Sequence, residues 1–122
     1  MKGFIFTVSL FIILVVLIIS NYFFVNEVHD HMHSKVNELD TAPSDKNSKL
    51  IIELKDFWES NKAMLSISVS FREIDDLSNA LDAVYAANST QNAVQLSINI
   101  ELLQNAIDAI MRLERISIEN IF

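Results

Sequence analysis

The sequence contains no cysteine and only one glycine and one proline among its 122 residues. Without cysteine, the chain cannot form disulfide bonds, thiolate metal sites, a thiol nucleophile or a lipidated cysteine anchor. Sheets and long loops place glycine and proline at their turns, so the scarcity of both residues favours long helices with short connections. Since the single glycine is Gly3, the glycine-rich loops that bind phosphate groups are also excluded.

Basic residues are in the minority. The chain has 9 Lys and Arg residues against 16 Asp and Glu residues, and its formal net charge is −7. All of the acidic residues follow Asn26. An acidic domain repels the phosphate backbone of nucleic acids and also anionic lipid surfaces. We therefore expect no nucleic acid as a partner.

The longest feature of the sequence is an uncharged apolar run from Phe4 to Val25. A helix needs roughly 20 apolar residues to cross a bilayer core about 30 Å thick. The run contains four polar residues, and the hydroxyl groups of Thr7 and Ser9 can bond to backbone carbonyls one turn back. The sequence therefore predicts that residues 1–25 form a single transmembrane anchor, so that the membrane is one partner of the protein.

The flanking charges predict the orientation of this anchor. Lys2 precedes the run, whereas Glu27 and Asp30 follow it before the next basic residue, Lys35. Under the positive-inside rule, the N-terminus lies in the cytoplasm and the rest of the chain lies outside. We therefore expect a single-pass protein of the cell membrane whose C-terminal domain is extracytoplasmic.

A cleavable signal peptide is the alternative to an anchor. Ile18 and Ser20 could occupy the −3 and −1 positions of a cleavage site. However, no polar region separates them from the apolar run, which continues through Val25. The pattern favours an anchor that is retained.

The remaining chain shows helical periodicity. Apolar residues from Val25 to Leu39 recur at steps of three and four, so residues 26–40 are predicted as a juxtamembrane helix continuing the anchor. Pro43 breaks this helix, and Thr41 or Ser44 can cap a second helix reaching about Lys62. Residues 41–122 are predicted as one helical domain.

Residues 64–71 are ambiguous, because apolar residues alternate with serines as in a strand. A lone strand has no sheet to join, so we predict a helix with a bend or cap between Lys62 and Ser70. Residues 86–90 are predicted as a turn, with Asn88 or Ser89 capping a last helix over residues 91–113. Arg112 and Arg115 are expected to close that helix.

Together these elements predict an all-α fold: an N-terminal transmembrane helix followed by a small antiparallel bundle of about three helices. The last helix is apolar on more than one face, so we expect it to contact two neighbours or a partner. The predicted core consists of Leu54, Trp58, Phe71, Ile74, Leu77, Leu81, Leu103, Ile107 and Ile110.

The chain resembles a bacterial domain-of-unknown-function family, number four-three-six-three, of small single-pass helical membrane proteins. The resemblance rests on the anchor, Trp58 followed by Asn61, the Glu73-Ile74-Asp75 element and the ending at residues 116–122. Family members often carry a histidine where this chain has Phe71, so no role of that histidine is carried over. The resemblance implies a fold and a membrane location, and it favours a membrane-protein partner, but it implies no activity.

Two residues could bind a metal ion. His29 and His33 are four residues apart, so on a helix they share a face and could chelate Zn²⁺ or Cu²⁺. His31 points elsewhere, while Asn26, Asp30 or Asn37 could add a ligand. A polar helix face near the lipid headgroups is the simpler interpretation of the same histidines.

No catalytic residue and no cofactor is predicted. Glu73, Asp75, Asp76 and Asp82 have helical spacings typical of a solvated face rather than of a catalytic carboxylate pair.

The apolar C-terminal tail is a candidate partner-binding segment, with Ile116, Ile118, Ile121 and Phe122 as its contact residues. We therefore predict a tethered, non-enzymatic interaction or accessory subunit that binds another protein, with a multi-pass membrane protein or a second copy as candidates. A metal- or pH-responsive sensor using the histidine run is the alternative.

Overall fold

A computed structural model describes residues 1–67 and 69–121, with side chains described as far as Arg112. Four α-helices follow one another: α1 (Lys2–Asn37), α2 (Asp45–Leu65), α3 (Phe71–Ser89) and α4 (Ala93–Ile121). The described residues contain no β-strand. The all-α prediction is confirmed, and three helices follow the apolar N-terminal helix as expected.

The first helix has two parts that differ in exposure. From Phe4 to Phe23 most of its large apolar side chains are exposed, whereas Val25, Val28, Met32 and Val36 are buried. The predicted apolar stripe after residue 24 is therefore the face that α1 contributes to the core. The apolar run and residues 26–37 belong to one 36-residue helix, which ends at Asn37, whereas the predicted juxtamembrane helix reached residue 40.

The helices surround a single hydrophobic core. Helix α4 packs against α3 and α1, and α2 packs against the same two helices, so each helix contacts two neighbours. The largest fully buried side chains come from every helix and include Trp58, Met32, Ile51, Leu54, Leu65, Leu77, Leu81, Leu96, Leu103 and Ile107. The C-terminal part of α1 thus shares its core with the three helices that follow.

The break between α2 and α3 lies within the predicted interval. Helix α2 ends at Leu65, and α3 begins at Phe71 after the N-cap residue Ser70. The prediction that Phe71 belongs to the core is wrong, since its side chain is 74% exposed. Because a new helix starts at Phe71, the buried stripe of α3 begins one turn later, at Ile74.

The predicted boundaries of the last two helices are partly wrong. Helix α3 continues through Ser89, and the connection to α4 falls at residues 90–92, where Gln91 has a φ of 55°. Asn92 caps α4, because its Oδ1 accepts a hydrogen bond from the Gln95 N–H at 3.1 Å. Helix α4 extends past the predicted end at Leu113 to Ile121, since the sequence there contains no glycine or proline to end it.

Two buried asparagines fix the connection between α1 and α2. Asn47 donates to the carbonyls of Asp40 and Ala42 at 2.8 and 3.1 Å, and it accepts from the Asp40 N–H at 3.0 Å. Asn88, on α3, accepts from the Ser44 N–H at 3.1 Å and donates to the Ser48 hydroxyl at 2.9 Å. Ser44 caps α2, as one of the two predicted alternatives, by accepting from the Asn47 N–H.

Candidate functional site

Helices α1 and α4 bring together two histidines and an aspartate. Nε2 of His29 lies 2.9 Å from Oδ1 of Asp108, and Nδ1 of His33 lies 3.8 Å from the same oxygen. One ligand atom from each of these residues lies within 4.8 Å of the other two. We call this group the His29–His33–Asp108 cluster.

The two imidazole rings of the cluster lie side by side. Their centroids are 5.6 Å apart and their planes differ by 16°, as expected for residues one helical turn apart. The other nitrogen of His29, Nδ1, lies 3.1 Å from Oδ1 of Asp30. Carboxylate oxygens therefore face both nitrogens of the His29 ring.

His33 has an unsatisfied nitrogen. Among the described residues its Nδ1 is a buried side-chain atom without a hydrogen-bond partner. The nearest carboxylate oxygen, that of Asp108 at 3.8 Å, is beyond hydrogen-bonding distance. A buried polar atom of this kind costs free energy unless a further group binds it.

The remaining residues of the histidine run lie outside the cluster. The His31 ring stacks on Phe57 of α2, with centroids 4.0 Å apart. Asn37 accepts a hydrogen bond from Gln104 at 3.3 Å.

Sequence reasoning did not identify Asp108, because only the packing of α4 against α1 brings it to the histidines. Its place next to the buried Ile107 was the one local signal that it lies at the edge of a packed face.

The acidic residues of α3 lie at the surface. Asp75, Asp76 and Asp82 are exposed, and Asp82 pairs with Lys55 of α2 at 3.2 Å. Glu73 accepts a hydrogen bond from the Ser70 hydroxyl at the start of the helix. These carboxylates act as surface and helix-terminal groups in the part of the chain that the structure describes.

Helix α4 carries a row of exposed aliphatic residues beside a groove. Val94, Ile98 and Leu102 are 69%, 48% and 54% exposed, and the spacing of four residues puts them along one line of the helix. Leu102 also lines a groove of about 480 Å³ between α3 and α4. The other groove residues are mostly small or polar: Glu73, Asp76, Asn79, Ala80, Ala83, Asn99, Asn105, Ala106 and Ala109.

The predicted partner-binding tail continues the same helix. The backbone of Ile116, Ile118 and Ile121 belongs to α4, which corrects the view of these residues as a segment beyond the last helix. The side chains of residues 113–121 and the whole of Phe122 lie outside the described residues.

Helix α1 meets the length and composition requirements for a membrane span. Within the described residues it is the one helix that does so, and its most apolar 18-residue stretch has no buried residue. A signal sequence near the N-terminus would meet the same requirements. The N-terminal part of the molecule is thus a long apolar helix that the other described residues leave uncovered.

A family model described as "Domain of unknown function (DUF4363)" matches residues 18–121. The match covers α2, α3 and α4 together with the second half of α1. No curated protein matches the chain, and no solved structure matches it either.

Proposed function

The chain belongs to the DUF4363 family of domains of unknown function, and we propose a role for it from the surface of the molecule, because this family assignment implies no activity. The protein is a single-pass, membrane-tethered, non-enzymatic accessory subunit. Its N-terminus is cytoplasmic and its helical bundle is extracytoplasmic. Its docking face, formed by Val94, Ile98, Leu102 and the α3–α4 groove, binds a helix of a multi-pass membrane protein.

The exposed aliphatic row on α4 carries this proposal. A helix at the surface of a globular domain normally turns its large apolar residues inward. Helix α4 does so with Leu96, Leu103 and Ile107, which are fully buried. Val94, Ile98 and Leu102 form a second apolar line that the bundle leaves uncovered. A contiguous apolar surface with polar neighbours is typical of a protein-binding site.

The groove beside the row suits a helical partner. Four alanines, at positions 80, 83, 106 and 109, line it. Small side chains allow a partner helix to approach the backbone closely, while Leu102 offers a larger side chain at the edge of the groove. The predicted partner-binding residues Ile116, Ile118 and Ile121 follow on the same helix.

The properties of helix α1 favour a partner that lies in the membrane over one that is in solution. Its exposed apolar part suits an anchor, and the same helix continues into the core of the bundle without a break. A rigid tether of this kind confines the bundle to the membrane surface and raises the effective concentration of membrane-bound partners.

Photo-cross-linking from Leu102 tests the proposal. With a photoreactive phenylalanine analogue at this position in the full-length protein, we expect a cross-linked product with a membrane protein in intact cells. Ile52 on α2 is a matched control, because it is an aliphatic residue with 50% exposure, against 54% for Leu102, and it does not line the groove. The same analogue at Ile52 should give no such product.

Two results would contradict this prediction. Equal amounts of cross-linked product from Leu102 and Ile52 would indicate that membrane proteins are merely nearby and do not bind the docking face. A product formed only between two differently tagged copies of this chain would assign the face to self-association instead. Leu102→Asp should abolish the hetero-complex while leaving the helical circular dichroism unchanged, since Leu102 is outside the core.

A further inference from the structure

We propose that the His29–His33–Asp108 cluster is a binding site for a divalent transition metal ion, with Zn²⁺ as its representative, and that the ion fastens α4 to α1. This site lies one helical turn after Val25, where the exposed part of α1 ends. It is independent of the docking face on α4.

The distances within the cluster suit such an ion. Four-coordinate Zn²⁺ binds histidine nitrogens and carboxylate oxygens at about 2.0–2.2 Å, which puts neighbouring ligand atoms roughly 3.3 Å apart. The two separations in the cluster, 2.9 Å from His29 Nε2 to Asp108 Oδ1 and 3.8 Å from His33 Nδ1 to the same oxygen, lie on either side of this value. Since all three ligand atoms lie within 4.8 Å of one another, small side-chain rotations would bring them to one ion.

The hydrogen bonds of His29 also favour a cation at this place. A neutral imidazole carries a single N–H, but carboxylate oxygens of Asp30 and Asp108 face its two nitrogens at 3.1 and 2.9 Å. If Nδ1 donates to Asp30, the lone pair of Nε2 meets an oxygen lone pair of Asp108. A metal ion between Nε2 and Asp108 removes this conflict and leaves Asp30 as the outer partner that orients the ring, a common arrangement in metal sites.

His33 supplies a second, separate observation. Its Nδ1 is buried and has no hydrogen-bond partner among the described residues. A bound ion would give this atom a ligand bond. The conflict at His29 and the unsatisfied nitrogen of His33 thus have one common solution.

The donor set selects the class of metal. Two imidazoles and one carboxylate suit Zn²⁺ and other late divalent transition metals, whereas Ca²⁺ and Mg²⁺ prefer oxygen ligands throughout. The chain has no cysteine to compete for the ion. Since the side chains of His33 and Asp108 are 43% and 53% exposed, water can reach the site and complete the coordination.

Titration of the full-length protein with ZnCl₂ in detergent micelles tests the site. The protein should carry an affinity tag without histidine, and the heat of binding should show one Zn²⁺ per chain. His29→Gln and Asp108→Asn should each weaken the affinity by about tenfold or more, because each removes a direct ligand. His31→Gln is the matched control and should leave the affinity unchanged, since His31 lies against Phe57.

A second measurement needs no variant. Zn²⁺ should raise the melting temperature of the wild-type protein, and a chelator should reverse the shift, because a ligand that binds only the folded state stabilises it. Absence of saturable binding would overturn the proposal. An equal loss of affinity in His31→Gln would also overturn it, by indicating chelation by the histidine run rather than by the cluster.

Discussion

Replacing Trp58 by alanine is expected to lower the free energy of unfolding by about 3–5 kcal/mol, the usual cost of removing a large buried aromatic side chain. Trp58 is 1% exposed in the centre of the four-helix core, and its indole N–H donates to the Ser78 hydroxyl at 2.7 Å. The substitution would therefore leave a cavity and an unpaired hydroxyl between α2 and α3.

Denaturant unfolding of the full-length protein in micelles measures this loss. Unfolding is followed by the circular dichroism signal of α-helices at 222 nm. Phe71→Ala is the matched control, because Phe71 is also a large aromatic residue but is 74% exposed. Its replacement should change the free energy of unfolding by about 0.5 kcal/mol or less. Equal losses in the two variants would contradict the core described above.

Replacing Asn47 by alanine is expected to cost about 2–4 kcal/mol, because several backbone groups lose their partner at once. Asn47 is completely buried and makes three hydrogen bonds to the backbone of Asp40 and Ala42. Without its amide, the N–H and both carbonyls would remain poorly solvated in the α1–α2 connection.

Asn61→Ala is the control for this second prediction. Among the described residues, the one hydrogen-bond acceptor of the Asn61 amide is the Phe57 carbonyl of its own helix, at 2.8 Å. We expect a change of about 0.5 kcal/mol or less for this variant, measured by the same unfolding experiment. An Asn47→Ala loss no larger than that of Asn61→Ala would show that the connection is held by other contacts.

Local periodicity was sufficient to predict most of the helical framework. The apolar stripe from Val25 to Val36 and the helical set Ile74, Leu77 and Leu81 are buried as predicted, because spacing along one helix depends only on the sequence. The cap at Ser44 was one of two predicted alternatives, because Thr41 and Ser44 both lie beside the only proline and both residue types are good helix caps.

The predictions failed where the outcome depends on contacts between helices. Phe71 fits the apolar spacing of the preceding segment, but the new helix begins there and turns its side chain to solvent. Asn88 or Ser89 was predicted to cap the last helix, but Asn92 caps it, and packing of α3 against α2 buries Asn88 beside Ser44. Asp108 lies beside the histidines because α4 packs against α1, and its position next to Ile107 indicated only that it borders a packed face.

The placement of the bundle outside the cytoplasm, held there by an uncleaved α1, is the central claim, and cysteine labelling tests it most directly. The chain has no native cysteine, so Ser60→Cys, at an exposed position of α2, gives a single reactive thiol. A membrane-impermeant maleimide should label this variant in intact cells, on a full-length chain that remains in the membrane fraction. Labelling only after lysis, or a shortened chain released from the membrane, would contradict the proposed topology.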